Sequence, residues 1–304
     1  MIDRFVYTDD VARALAGQRP LVALETTVVT HGLPHPDGMQ AALTLESDIR
    51  ESGAVPATIG VLAGAVHVGM TPAELKTLAT APGVTKLNLS NFAAVVADGS
   101  TGSTTVAATM FAAHRAGIGV FATGGIGGVH RDAKDTGDIS ADLTALARIP
   151  IAVVCAGAKA VLDLGRTVEM LETLGVPVFG YRTDEFPAFY RRESGLPVDR
   201  RFDTIEALAR AVRTHTEMGF GTGVLIANPI AEADAMALEL YERSLAEALA
   251  AAASAHVRGR EVTPFLLERM RELTGGESVR ANLALLRSNA HVAAQLASAL
   301  APGR

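Results

Sequence analysis

The stretch "IAVVCAGAKAVLDLG", residues 151–165, decides how the chain is read. Its first half is an uninterrupted apolar run that stops at small residues, which reads as a strand covered on both faces. From residue 158 the apolar positions of "AKAVLDLGRTVEMLETLG" recur at helical spacing. A buried strand running into a helix is half of a βαβ unit and predicts a layered α/β fold. The reading also puts Lys159 where that helix should begin. Aligned peptide dipoles and unpaired N–H groups make a helix start partly positive, a place that favours anions and disfavours an ammonium. Burial among Ala158, Ala160, Val161 and Leu162 adds to the misfit. A neutral amine is a nucleophile, and such a use would explain the position; the alternative is a lysine whose stem snorkels over the surface.

The same alternation extends in both directions. The runs "PLVALETTVV" (20–29), "PATIGVLAG" (56–64), "TKLNLS" (85–90), "GVFATGG" (119–125), "VPVFGY" (176–181) and "TGVLIANP" (222–229) read as further strands. Helical spacing marks "GMQAALTLESDIRES" (38–52), "TVAATMFAAHRAG" (105–117) and "RFDTIEALARAVRTHTEMG" (201–219). From about residue 231 the chain turns Ala-rich and helical, with no linker long enough to detach it, so residues 1–304 are expected to form one domain. Continuously apolar strands leave the strand ends and loops as the place for polar chemistry.

Composition narrows the function. The chain has 304 residues, 49% hydrophobic and 20% charged, enough for a large core, and a net charge of −6 that offers no basic field for nucleic acid. Cys155 is the only cysteine, so an internal disulfide and a thiol-rich metal site are excluded and a reducing compartment is favoured. The opening "MIDRFVYTDD" lacks the basic flank and apolar stretch of a secretory signal, and no apolar run approaches membrane-spanning length. A cytoplasmic protein is expected.

Polar residues gather after the strands: Glu25 after "LVAL", Lys86 before "LNLSNF", "TGGIGGVHRD" (123–132), "DTGDISADL" (135–143), then Lys159. Each has a plainer alternative. Glu25 is either a neutral or paired core residue or a functional acid. The "GGIGG" loop either cradles phosphate on its backbone N–H groups or is an ordinary tight turn; its spacing is not that of a dinucleotide site. A helix beginning near Ser140 would bring Asp138 and Asp142, four residues apart, close enough to hold a hard divalent cation. Equally, Asp138 or Ser140 would simply cap that helix.

Taken together, "ALETTVVTHGLPHP", "PATIGVLAGAVHVGM", "KLNLSN", "GSTTVAATM", "ATGGIGGVHR", "DISADL", "CAGAKAVLDLGRT", "VFGYRTDEFPAFY", "IANPI" and "TPFLLERMRELTGGESVRANLALL" resemble the pseudouridine-5'-phosphate glycosidase family, also called the indigoidine synthase A family. The resemblance spans about residue 15 to residue 300. It implies a three-layer α/β/α sandwich around a mostly parallel or mixed sheet, a homotrimer, a bound Mn2+ (or Mg2+), and a lyase of hydro-lyase type that reversibly converts pseudouridine 5'-phosphate and water to uracil and ribose 5-phosphate. It implies Glu25 as proton donor, Lys159 as covalent nucleophile and Asp138 as metal ligand. Substrate contacts would fall at Lys86, Val106, Ser140, Ala141 and Asp142, with His130 and Asn282 also in the pocket.

Three positions depart from the family pattern: Ala63 and Arg182, and Gly137 just before "DIS". They bear on loop shape and substrate fit and remove no expected catalytic group. The chemistry gives the amine a purpose. The base of pseudouridine is joined through carbon, so its simple departure would leave a poorly stabilised carbanion, whereas a lysine imine at C1' supplies an electron sink. Two other readings share these residues: a Schiff-base aldolase for another sugar phosphate, and a non-catalytic sugar-phosphate sensor.

Overall fold

The computed structural model describes residues 4–33, 35–257, 259 and 262–301. The strands are β1 (Phe5–Tyr7), β2 (Leu21–Leu24), β3 (Val55–Leu62), β4 (Ala65–Val68), β5 (Thr85–Leu87), β6 (Gly102–Thr104), β7 (Val120–Ala122), β8 (Ala152–Cys155), β9 (Val178–Tyr181), β10 (Arg200–Phe202) and β11 (Val224–Ala227). The helices are α1 (Asp9–Ala16), α2 (Asp37–Glu51), α3 (Pro72–Thr80), α4 (Phe92–Ala97), α5 (Val106–Arg115), α6 (Ala133–Thr136), α7 (Ala141–Leu146), α8 (Leu164–Thr173), α9 (Ile205–Glu217), α10 (Leu238–Ser254), α11 (Val262–Leu273) and α12 (Glu277–Leu300).

The strands form one mixed sheet in the order β1-β4-β3-β2-β7-β8-β11-β9-β10, with β5 joined through β6 to β3. Pairing is parallel except where β3 meets β4 and β6. Every residue of β2, β7, β8 and β11 is buried, as expected for central strands covered by helices on both faces. The α/β/α layering expected from the sequence is therefore the observed fold. Helix α12 carries the longest buried stripe, from Ala281 to Ala297, and packs on β2, β7 and β8 as well as on α2 and α9. The Ala-rich end of the chain is thus one of the covers of the sheet.

Two local readings are corrected. The strand expected through Val29 stops at Leu24, and Val28–Gly32 forms a π-helical turn in which the Leu33 N–H donates to the Val28 carbonyl at 3.2 Å. Helix α8 starts at Leu164, not near Lys159, because Asp163 caps it by accepting from the Arg166 N–H at 3.0 Å. Lys159 therefore lies in a turn before that helix, and the dipole argument does not apply to it. Strands β1, β4, β6 and β10, which sequence patterning did not reveal, are three or four residues long.

All three departures from the family pattern, Ala63, Gly137 and Arg182 (φ 57°), sit at left-handed backbone positions, which glycine takes without strain and alanine or arginine does not. Ala63 (φ 47°) and Gly64 (φ 75°) are the two left-handed residues of the tight β3–β4 hairpin. Gly137 (φ 68°) ends α6 in the left-handed conformation that glycine adopts without strain.

Candidate active site

Glu25 and Thr123 follow β2 and β7 directly, and the parallel register places Leu24 opposite Ala122. Their side chains consequently meet: Thr123 Oγ1 donates to Glu25 Oε1 at 2.5 Å. The next residue, Thr26, is fully buried and donates to the Ile59 carbonyl at 2.8 Å while accepting from the Thr104 N–H at 2.9 Å. Glu25 is thereby held between two anchored threonines. Its side chain lines a cavity. Burial, reinforced by the charge of Asp142, holds its carboxyl above the ordinary glutamate range, against opposing pulls from Lys159, Thr123 and Lys86.

Lys159 arrives from β8. The Ala158 backbone bridges to Ile126, and the Lys159 N–H donates to the Ile126 carbonyl at 3.0 Å, so the "CAGAK" and "GGIGG" loops run side by side. Among the described residues, no carboxylate lies within ion-pairing distance of the Lys159 ammonium. Gly157 (φ 82°) lets the segment around Pro187 pack against this loop, since a Cβ there would fall 2.0 Å from the Pro187 carbonyl oxygen. Cys155, just upstream, is fully buried, and desolvation pushes its thiol up to about 12, which makes it unreactive.

Part of the glycine loop is committed to partners within the protein. The Gly127 N–H donates to Asp142 Oδ2 at 2.7 Å, the Ile126 N–H to the Gly157 carbonyl at 3.0 Å, and the Val129 N–H to Thr167 Oγ1 at 3.0 Å. The glycines permit close packing instead: a Cβ on Gly127 would stand 2.2 Å from Ser140 Oγ. Asp142 also accepts from the Ala107 N–H at 2.9 Å through Oδ1. At 5% exposure it is a strut joining α7, α5 and the glycine loop, with each oxygen accepting one backbone N–H. Ser140, not Asp138, caps α7, accepting from the Asp142 N–H at 3.2 Å.

Two connected lobes share Glu25, Thr27, Lys86, Lys159 and Thr263. The larger, about 280 Å³, adds Asn88, Thr105, His130, Asp138, Ser140, Ala141 and Asp142. The smaller, about 60 Å³, adds Val28, His31, Gly124, Gly125, Phe189, Asn282 and Leu286. The sequence-derived residues therefore converge, with one exception. The Val106 side chain is buried in the core at the first position of α5, and its neighbour Thr105, the cap of that helix, lines the cavity in its place. A more open hollow of about 790 Å³ along α9 and α12, lined by Tyr181, Arg182, Arg210 and Arg213, contains none of these groups.

Asp138 is the carboxylate on this wall best suited to a metal: its side chain is 29% exposed, and Oδ2 lies 3.9 Å from His130 Nδ1. No group of three or more His, Cys, Asp or Glu side chains able to hold a metal gathers among the described residues. Such a donor set fits a hard ion that keeps most of its water and takes substrate oxygens.

Sequence reading missed Thr123, His31 and Asn289. Asn289, fully covered on α12, donates to the Thr123 carbonyl at 2.8 Å and accepts from Asn228 Nδ2 at 2.8 Å, tying the loops after β7 and β11 to the helix. Its signal was an amide two turns from Asn282 on an otherwise apolar stripe.

Comparison with known proteins is consistent across its length. The family model described as indigoidine synthase A like protein matches residues 10–299. The pseudouridine-5'-phosphate glycosidase of Methylobacterium nodulans is 53% identical over 98% of this chain and 88% of its own. That of Geobacillus kaustophilus is 49% identical over 99% and 100%. Among solved structures, the prealnumycin C-glycosynthase AlnA in complex with ribulose 5-phosphate superposes with a TM-score of 0.90 at 41% identity, covering 98% of this chain and 97% of its own. The indigoidine synthase A-like protein of Thermotoga maritima does so with a TM-score of 0.88 at 36% identity, covering 97% and 95%.

The electrostatics of Glu25 give a stability prediction. A carboxyl whose folded pKa is raised costs stability as pH climbs from the unfolded glutamate range up to the folded value, keeps that full cost above it, and costs nothing below the unfolded range. Glu25→Gln keeps the acceptor for Thr123 and removes the ionisation. The variant is expected to melt higher than the parent at pH 8 and level with it near pH 4 in a calorimetric series; a variant less stable at pH 8 would show that the lysines, not burial, control this carboxyl.

Proposed function

Because the chain belongs to the indigoidine synthase A-like family, we propose that it reversibly cleaves the carbon–carbon glycosidic bond of pseudouridine 5'-phosphate through a Schiff base on Lys159. The observation that carries this reading is the meeting of Lys159 and Glu25, the latter held toward its protonated form, where a polar and a largely apolar lobe join. The names of the relatives and the sugar phosphate bound by the C-glycosynthase support the same chemistry.

In the synthetic direction the Lys159 amine adds to the C1 aldehyde of open-chain ribose 5-phosphate and water leaves, giving an iminium. The C5=C6 π pair of uracil attacks that carbon, C5 loses its proton, and the sugar oxygen closes on C1 as the amine departs. Run backwards, the steps consume one water and release uracil. Glu25 donates its proton to the sugar oxygen as the ring opens and recovers it on closure, a task suited to a carboxyl whose pKa burial raises.

The larger lobe receives the ribose phosphate. Lys86 offsets its charge, Thr105 takes the contact expected around Val106, and Ser140, Ala141 and His130 complete the wall. Asp142 acts from behind, by holding Gly127 and Ala107 in place. The smaller lobe receives the flat base between Val28, Phe189 and Leu286, with Asn282 as its polar contact. A Mn2+ or Mg2+ ion held by Asp138 would add positive charge near the substrate oxygens.

Borohydride added with ribose 5-phosphate is expected to fix one sugar to the peptide containing Lys159. Lys159→Ala, which removes an ammonium from a cavity wall, should fold, trap nothing and lose roughly a thousandfold or more in turnover. A label on Lys86 would overturn the assignment. Chelation should stop turnover, and Mn2+ or Mg2+ should restore it; an undiminished rate in metal-free protein would take the ion out of the account.

A further inference from the structure

We propose that His31 is the acid–base group that exchanges the proton on C5 of the base, apart from Glu25, which serves the sugar oxygen; the inference rests on the Schiff-base reading. Cleavage consumes a proton at C5. Its addition makes C5 tetrahedral and places positive charge on the N1–C6 unit. The C1'–C5 bond then breaks, its electron pair restoring the C5=C6 double bond, while the Lys159 nitrogen lone pair forms the C1'=N bond. Opening the sugar ring needs a proton at the ring oxygen as well. Two protons are thus required on opposite sides of C1', and one carboxyl carries one.

His31 lines the smaller lobe, where the base is placed, and is absent from the wall of the larger one. It stands in the π-helical turn Val28–Gly32, a costly backbone form that concentrates at functional sites, close after Glu25 in the chain. Helix α2 presses on this turn so closely that a Cβ on Gly38 would lie 2.8 Å from both the Val28 and Val29 carbonyl oxygens. Two hydroxyls orient the ring at Nδ1. Nδ1 is 2.6 Å from Thr30 Oγ1 and 3.2 Å from Ser103 Oγ, and Thr30 Oγ1 donates to Ser103 Oγ at 2.8 Å.

With the Thr30 proton directed to Ser103, Thr30 Oγ1 acts as acceptor for an Nδ1–H, and that tautomer carries its basic lone pair on Nε2. Ser103 is fully buried on β6, directly opposite Lys86 on β5, so the shell that sets the ring is the same sheet edge that presents Lys86. Among the described residues, the ionisable groups around His31 are Glu25, Lys86 and Lys159 in the shared lobe and Glu268, Arg271 and Tyr190 in the hollow adjoining it. Imidazole is the side chain suited to passing a proton both ways near neutrality.

The test uses the full chain with His31→Gln and His31→Asn, which keep an amide near the position of one ring nitrogen or the other without titrating. Uracil release from pseudouridine 5'-phosphate should fall roughly a hundredfold or more in both. The limb of the kcat–pH profile owed to the imidazole should disappear, while borohydride trapping of ribose 5-phosphate on Lys159 stays within about twofold of the parent, since imine formation needs no proton at C5. Release within about threefold of the parent in either folded variant would overturn the proposal, as would a retained pH limb or a parallel loss of trapping, which would mark a positioning role. Absence of trapping in the parent protein would defeat the Schiff base itself, an outcome distinct from any change confined to the variants.

Discussion

Leu24 on β2 lies opposite Ala122 on β7, and Ala122 lies opposite Val154 on β8, so these neighbouring parallel strands end nearly level. With both faces of the strands covered by helices, polar side chains have room only beyond those ends. The carboxyl of Glu25, the hydroxyl of Thr123 and, a few residues past β8, the amine of Lys159 therefore reach one small region from three strands. Lateral hydrogen bonding of the sheet fixes their spacing, which is why residues far apart in the chain can act on one carbon.

That arrangement needs its loops held still, and the means is a set of buried polar groups with satisfied partners. Asp142 uses both oxygens on the backbone of Ala107 and Gly127; Asn289 links the Thr123 carbonyl to Asn228; Thr26 and Thr104 share the Ile59 carbonyl. Each would cost stability if left half-paired, so such networks favour one loop geometry over its alternatives. The same closeness sets the electrostatics. Glu25 feels the Lys159 and Asp142 charges in opposite directions, and its withdrawal from water outweighs the attraction of the amine.

Much of this was legible in the chain. Apolar runs ending at small residues located the central strands, and Glu25 and Lys159 stood out as polar residues just past such strands, whereas Lys86 proves to lie within β5. What stayed hidden has physical causes. Short edge strands such as β1 and β10 have too few residues to show alternation. The π-helical turn after Glu25 has an apolar, β-branched composition that a strand would share. Lys159 was placed at a helix start because the apolar spacing began there, whereas Asp163, a recognisable cap, marked the true beginning. The glycine loop suggested phosphate binding, yet the Gly127 N–H and, just past the loop, the Val129 N–H face Asp142 and Thr167, partners that only the folded sheet brings alongside. Thr123 and Asn289 are small or amide residues whose importance comes from what lies next to them.

The central claim is that Lys159 acts as an electron sink for a carbon-linked base, and the most direct measurement compares uracil release from pseudouridine 5'-phosphate and uridine 5'-phosphate at equal concentration. An enzyme passing through an oxocarbenium ion would cleave the nitrogen-linked nucleotide at least as readily, because nitrogen is the easier leaving group. The imine route reverses the order, since C5 accepts a proton as the bond to the amine-bearing carbon breaks and a site shaped for that carbon presents N1 wrongly. The account predicts release from pseudouridine 5'-phosphate with little or none from uridine 5'-phosphate; comparable release from both would contradict it.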